Sequence, residues 1–184
     1  MGNKSEIARN IYLFGVSLIG LVVFIVSFIQ VAEALTSIYL PRVNILEDKV
    51  YLYERLYQNL VLSVTGFLIF VFHWFFVVKE RRLGKIQNVL FESNMNIFES
   101  IFFYLLAYVG IIILLTSVSK IAHGFYTTVY PTVEPGKEQN ISPYVVRDSA
   151  IIVQGLISFF VGLITFIVGF VRTQRSMKRV NQEQ

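Results

Sequence analysis

The sequence predicts an all-α, polytopic membrane protein whose four transmembrane helices form two hairpins, and three observations lead there. Four apolar stretches reach the ~20 residues that a helix rising ~1.5 Å per residue needs to cross the hydrocarbon core. Apolar residues make up 55% of the 184 and charged residues 15%, with a mean hydropathy of +0.63, a balance from which no water-facing domain surface can be built. A stripe of small residues also recurs. Ser17, Gly20, Ser27 and Ala34 in the first stretch are matched ninety positions later by Ala107, Gly110, Ser117 and Gly124 in the third.

The first span covers residues 11–39, too long for a signal-peptide core and without a small-residue cleavage site before Tyr39, so it reads as a retained helix. The start Met1-Gly2-Asn3-Lys4-Ser5-Glu6 resembles a myristoylation signal but has Glu6 where a hydroxyl residue is required. A first loop, residues 41–59, places Ile45, Leu46, Val50, Tyr53, Leu56 and Tyr57 among charges, which suits a short interfacial helix or an extension of span two. Span two covers residues 60–78, and a basic turn follows over 79–88.

Ser93, Asn94 and Asn96 are helix-cap formers ahead of span three, residues 97–125, and Glu92 and Glu99 suit the positive N-terminal end of that helix. The second loop, 127–148, is expected to be irregular, and its Asn140-Ile141-Ser142 triplet is followed by Pro143, which disfavours glycosylation. All four prolines, Pro41, Pro131, Pro135 and Pro143, fall in the two loops, where a missing N–H does not harm a spanning helix. Span four covers residues 149–171.

Charge sets the orientation. Lys4, Arg9, Lys79, Arg81, Arg82, Lys85, Arg172, Arg175, Lys178 and Arg179 fall on one side, and Arg42, Lys49, Arg55, Lys137 and Arg147 on the other. The excess places both termini and the 79–88 turn in the cytoplasm. Tyr39, Tyr51, Tyr53, Tyr57, Tyr126, Tyr130 and Tyr144 then form an outer aromatic belt. The formal net charge of +4 follows from this topology and does not point to nucleic acid.

Span four carries the plainest packing signal: Gly155, Ser158, Gly162, Thr165 and Gly169 follow a seven-residue period with no large side chain. In lipid, helices associate by close backbone approach through small residues, and this period predicts a left-handed crossing of roughly 20°. Gly20, Ser27, Gly66, Gly110 and Ser117 extend the expected seams to the other spans. Spans two and four align at an offset of ninety-six, which pairs Gly66 with Gly162 and Phe70 with Phe166. The chain therefore reads as one domain, residues 1–184, made of two parallel hairpin repeats, 9–85 and 97–179.

The polar residues offer little chemistry. Gln30, Glu33, Lys120, His123 and Gln154 fall at similar heights near the outer boundary and form a candidate cluster, read first as an ion pair between hairpins and second as part of an ion, proton or ligand path. His73 and His123 sit in opposite leaflets, roughly 20 Å or more apart in height, so they cannot share a metal ion or haem. There is no cysteine, which excludes disulfides and thiolate centres within this chain. No Ser-His-Asp set, HExxH or phosphate-cradling glycine loop is present, so no catalytic residues, metal or cofactor are expected.

Tyr12-Leu13-Phe14 through Gly20-Leu21, and Gly66 through His73-Trp74, resemble an uncharacterised prokaryotic family of tandem hairpin membrane domains. That resemblance implies the four-helix fold and a prokaryotic plasma membrane but no activity. The second hairpin departs from it, with Gly169-Phe170 where His-Trp is expected. The expected function is an integral membrane accessory or scaffolding subunit, not an enzyme, partnered by the bilayer and by itself or other membrane subunits. The alternative is a homo-oligomeric channel, transporter or sensor.

Overall fold

The computed structural model describes residues 4–39, 46–87, 89–129 and 142–182, all of them helical. They form α1 (Lys4–Tyr39), α2 (Leu46–Gln87), α3 (Val89–Val129) and α4 (Ser142–Gln182). Each contains a segment long and apolar enough to cross a membrane: Ile7–Tyr39, Val50–Arg82, Asn96–Tyr126 and Ala150–Arg175.

The helices overrun the apolar stretches that predict them. α2 begins at Leu46, so the amphipathic part of the first loop extends span two and does not form a separate helix. Residues 46–59 contain neither glycine nor proline, and lengthening an existing helix avoids the cost of a new nucleus. α4 begins at Ser142, which puts Pro143 in its first turn and not in the loop; an N–H there has no intrahelical acceptor, so its absence costs nothing. α3 begins at Val89, so Ser93, Asn94 and Asn96 lie within the helix and do not cap it. Pro41, Pro131, Pro135 and the Asn140 triplet's first residue lie outside the described residues.

The most extensive packing is of α1 on α2 and of α3 on α4, whereas α2 and α4 do not meet among the described residues. Pairs along each interface give the directions. Arg9 meets Glu80 while Glu33 meets Arg55, so α1 and α2 are antiparallel. Gly169 lies against Ala107 and Gly155 against Ile121, so α3 and α4 are also antiparallel. Phe14 meets Phe102 and Glu33 meets Lys120, so α1 and α3 run in the same direction. Both chain termini and the α2 to α3 junction thus share one end of the bundle, the terminus end; the opposite end is the loop end.

The expected small-residue seams lie inside each hairpin. A Cβ added at Gly20 would stand 2.8 Å from the Phe70 amide nitrogen, and one at Gly66 2.7 Å from that of Phe24. In the second hairpin, a Cβ at Gly110 would stand 2.5 Å from the Phe166 amide nitrogen, one at Gly162 2.9 Å from Ile113 Cγ2, and one at Gly169 2.6 Å from the Ala107 amide nitrogen. Real side chains do not fit at such distances, so glycine sets how closely the backbones approach, and the gain is dispersion between surfaces that lipid cannot match. Every member of the two recurring stripes is buried, with Ser17 and Ser117 fully so. Ser117, Thr165 and Thr173 turn their hydroxyls back onto carbonyls four residues earlier, at 2.6, 2.8 and 2.9 Å.

Aromatic packing joins the two hairpins in the half nearer the terminus end. Trp74 on α2 contacts Phe14 on α1 and Phe102 and Phe103 on α3, with ring centroids 6.4, 5.3 and 6.2 Å away. Phe14 itself reaches Phe98 and Phe102 at 6.3 and 6.0 Å. His73, beside Trp74, faces away from this cluster: its Nδ1 lies 2.9 Å from the Ile69 carbonyl of its own helix, and its ring stands edge-on to Tyr12.

Candidate functional site

Glu33 on α1 is 8% exposed and organises a polar cluster at the loop end. Its Oε1 accepts the Lys120 ammonium from α3 and the Ser158 hydroxyl from α4, the latter at 3.4 Å. Its Oε2 lies 3.9 Å from the Arg55 guanidinium of α2. The Gln154 amide of α4 donates to the Glu33 main-chain carbonyl at 3.1 Å and to Ser37 Oγ at 2.9 Å. One residue therefore touches all three other helices.

The sequence supplies a reason for each position. Glu33 and Ser37 share a face of α1 one turn apart, and Gln154 and Ser158 share a face of α4 at the same spacing. α4 also packs directly on α1, which lets a side chain as short as Ser158 reach Glu33. Lys120, whose side chain is 43% exposed, lays its stem along α3 and brings its charge to the carboxylate, as long cationic side chains do near a boundary.

Of the five residues expected to cluster, Glu33, Lys120 and Gln154 are brought together. Gln30, one turn from Glu33, lines a pocket with α2 that Arg55 also lines, and His123 lies on an exposed part of α3. Ser158, expected only as a seam residue, also bonds to Glu33. Arg55 was not expected in the cluster, and its only signal is its position near the loop end of a helix antiparallel to α1.

A second polar group holds the terminus end. Arg81 on α2 pairs with Glu99 on α3 at 2.8 Å and donates to Asn96 Oδ1 at 3.2 Å, while Arg9 on α1 pairs with Glu80 at 3.1 Å. Asn96 and Asn10 are 1% and 2% exposed. From Arg9 to Glu33 the helical rise gives about 36 Å, so the two polar groups bracket the apolar interior.

In chemical terms the loop-end cluster sets one buried carboxylate against two cations on different helices. A carboxylate that accepts from an ammonium and a hydroxyl, with a guanidinium 3.9 Å away, ties α1 to the three other helices. No group of three His, Cys, Asp or Glu side chains able to hold a metal ion occurs among the described residues. The chain matches no known family, no curated protein and no solved structure.

Proposed function

We propose that the protein is an integral membrane accessory or scaffolding subunit that performs no catalysis and assembles with itself or with other membrane proteins. The observation that carries this reading is the use of the charged groups. Glu33, Lys120, Arg55, Arg81, Glu99, Arg9 and Glu80 are engaged with one another across helices, so polar chemistry holds the bundle together. The small-residue seams are likewise consumed within the chain. Apolar flanks remain open to partners, most extensively on α2 and α4, whose apolar windows are only 17% and 22% buried.

The tandem-hairpin reading is supported by a repeated contact. Gly20 lies against Phe70 and Gly110 against Phe166, and these four positions correspond at the two sequence offsets. The asymmetry of Lys and Arg supports a cytoplasmic location for both termini, and the resemblance to the prokaryotic family supports a plasma membrane. Co-purification of the full-length protein in mild detergent, followed by crosslinking, tests the assembly. A defined oligomer or a reproducible set of membrane partners is expected, and a stable lone monomer would overturn the reading.

A channel, transporter or sensor is the second reading, favoured by one observation. Asn10 Oδ1, Ser17 Oγ and Glu80 Oε2 are buried without a hydrogen-bond partner among the described residues, and such groups in a span often mark a pathway. Ion or solute flux through purified protein in liposomes would favour it, and no flux across several gradients would favour the scaffold.

A further inference from the structure

A polar pocket of about 290 Å³ opens between α1 and α2 at the loop end, lined by Gln30, Tyr51, Glu54, Arg55, Gln58 and Asn59. It begins within two turns of the start of the Val50–Arg82 segment, at the depth where a spanning helix meets lipid headgroups. Along the same helix, further into the membrane, Leu60, Val61, Val64, Phe67 and Leu68 are exposed. A polar recess above an apolar flank has the form of a phospholipid: headgroup in the recess, acyl chains along the helix.

The charges narrow the headgroup. Arg55 has a side chain 42% exposed, and among the described residues its guanidinium meets only Glu33, at the long distance of 3.9 Å. Its planar fork suits two phosphate oxygens. Glu54 receives Gln58 Nε2 at 3.2 Å and retains capacity for a cationic donor. Tyr51, 64% exposed, adds a ring face toward which a cation is attracted. The volume lies at the lower limit of the ~300–1,000 Å³ usual for drug-sized ligands, which favours a small group. At the offset that aligns α2 with α4, Glu54 and Arg55 correspond to Ala150 and Ile151, so the second hairpin has no counterpart of this charged pair.

We propose that this pocket binds the headgroup of a phospholipid that carries a phosphodiester and a primary ammonium, Arg55 taking the phosphate and Glu54 the ammonium. The site needs only a membrane around the bundle, so its failure would leave the scaffolding reading untouched.

Native mass spectrometry of the full-length protein tests it, with phosphatidylethanolamine, phosphatidylcholine and phosphatidylglycerol of matched chains offered in detergent. Phosphatidylethanolamine should be retained about fivefold or more over the other two, since a charge-assisted bond to Glu54 exceeds a neutral hydroxyl's by about that factor and the quaternary ammonium of choline has no N–H to donate. Arg55→Gln should abolish this retention, and Glu54→Gln should erase the preference over phosphatidylglycerol while leaving residual phosphate binding. Glu54 meets only Gln58 among the described residues, so its variant keeps the test decisive if Arg55→Gln fails to fold. Equal retention of the three lipids, preference for phosphatidylglycerol, or unchanged retention in Glu54→Gln would overturn the proposal. Displacement of the lipid by inorganic phosphate at millimolar concentration would show a free-anion site and overturn it equally.

Discussion

Lys120 on α3 delivers its ammonium to the carboxylate of Glu33 on α1, the direct ionic link between the two hairpins at the loop end. Removing Glu33 leaves two cations, Lys120 and Arg55, without their carboxylate, removing Lys120 leaves Glu33 with only the more distant Arg55, and removing both leaves the half-exposed Arg55 alone. Glu33→Gln and Lys120→Met should each lower the thermal midpoint in detergent, and the double variant should recover part of the loss. Lys120 is 43% exposed along its side chain, so the coupling should be about 1 kcal/mol, well below the ~3–5 kcal/mol of a fully buried broken pair. Additive losses would show that the pair does not couple.

Gly110 and Gly15 form a contrasting pair. A Cβ at Gly110 would collide with the Phe166 backbone at 2.5 Å, while at Gly15 nothing lies within 4 Å. Gly110→Ala should therefore destabilise the bundle by roughly 1–3 kcal/mol, the usual range for overpacking. Gly15→Ala should be neutral or stabilise by up to about 1 kcal/mol through helix propensity. Gly162→Leu should be worse than Gly110→Ala, since a larger side chain meets Ile113 and Leu114. Thermal melts of the three variants check the order, and equal tolerance would remove the seam from the account.

Trp74 and His73 should separate in the same way. Trp74 joins α2 to α1 and α3 through several aromatic contacts, while His73 bonds to its own helix and meets α1 only edge-on at the exposed Tyr12. Trp74→Ala should cost about 3–5 kcal/mol, as large aromatic truncations do, and His73→Ala less than about 1 kcal/mol. A comparable loss from both would mean that His73 meets a partner outside this chain.

At the terminus end, Arg81→Gln should cost up to about 1 kcal/mol and make the remaining stability less sensitive to salt, because Arg81 is partly exposed while pairing with Glu99. Melts at low and high ionic strength check this. An undiminished salt response would assign the sensitivity to other charges.

The four spans were legible because hydrocarbon thickness imposes a length that composition alone reveals. The helix ends were legible only in part: the apolar spacing of residues 45–57 marked a separate helix or an extension of span two, of which the structure has the extension, whereas Lys79 to Gln87 is polar yet helical and nothing in a polar helix former signals where it stops. Small residues identified the packing faces, and Gly20 and Gly110 are indeed buried, but a stripe does not name its partner. The approach of Gly162 to Ile113 within one hairpin required the structure. Glu33, Lys120 and Gln154 could be grouped by height along the membrane normal, a coordinate that sequence supplies. Rotation about the helix axis is the coordinate it supplies poorly. Arg55 escaped the sequence reading for that reason, and Gln30, one turn from Glu33, faces the α2 side of the cluster and lines a pocket with Arg55.

The hydroxyls of Ser117, Thr165 and Thr173, folded back onto their own helices, ask nothing of the neighbouring helix except room. At such positions the packing constrains volume and a self-satisfied hydroxyl adds no demand for a partner, so serine and alanine are physically interchangeable wherever the local clearance permits. A lineage of such chains would share a profile of side-chain sizes long after its shared letters had drifted apart.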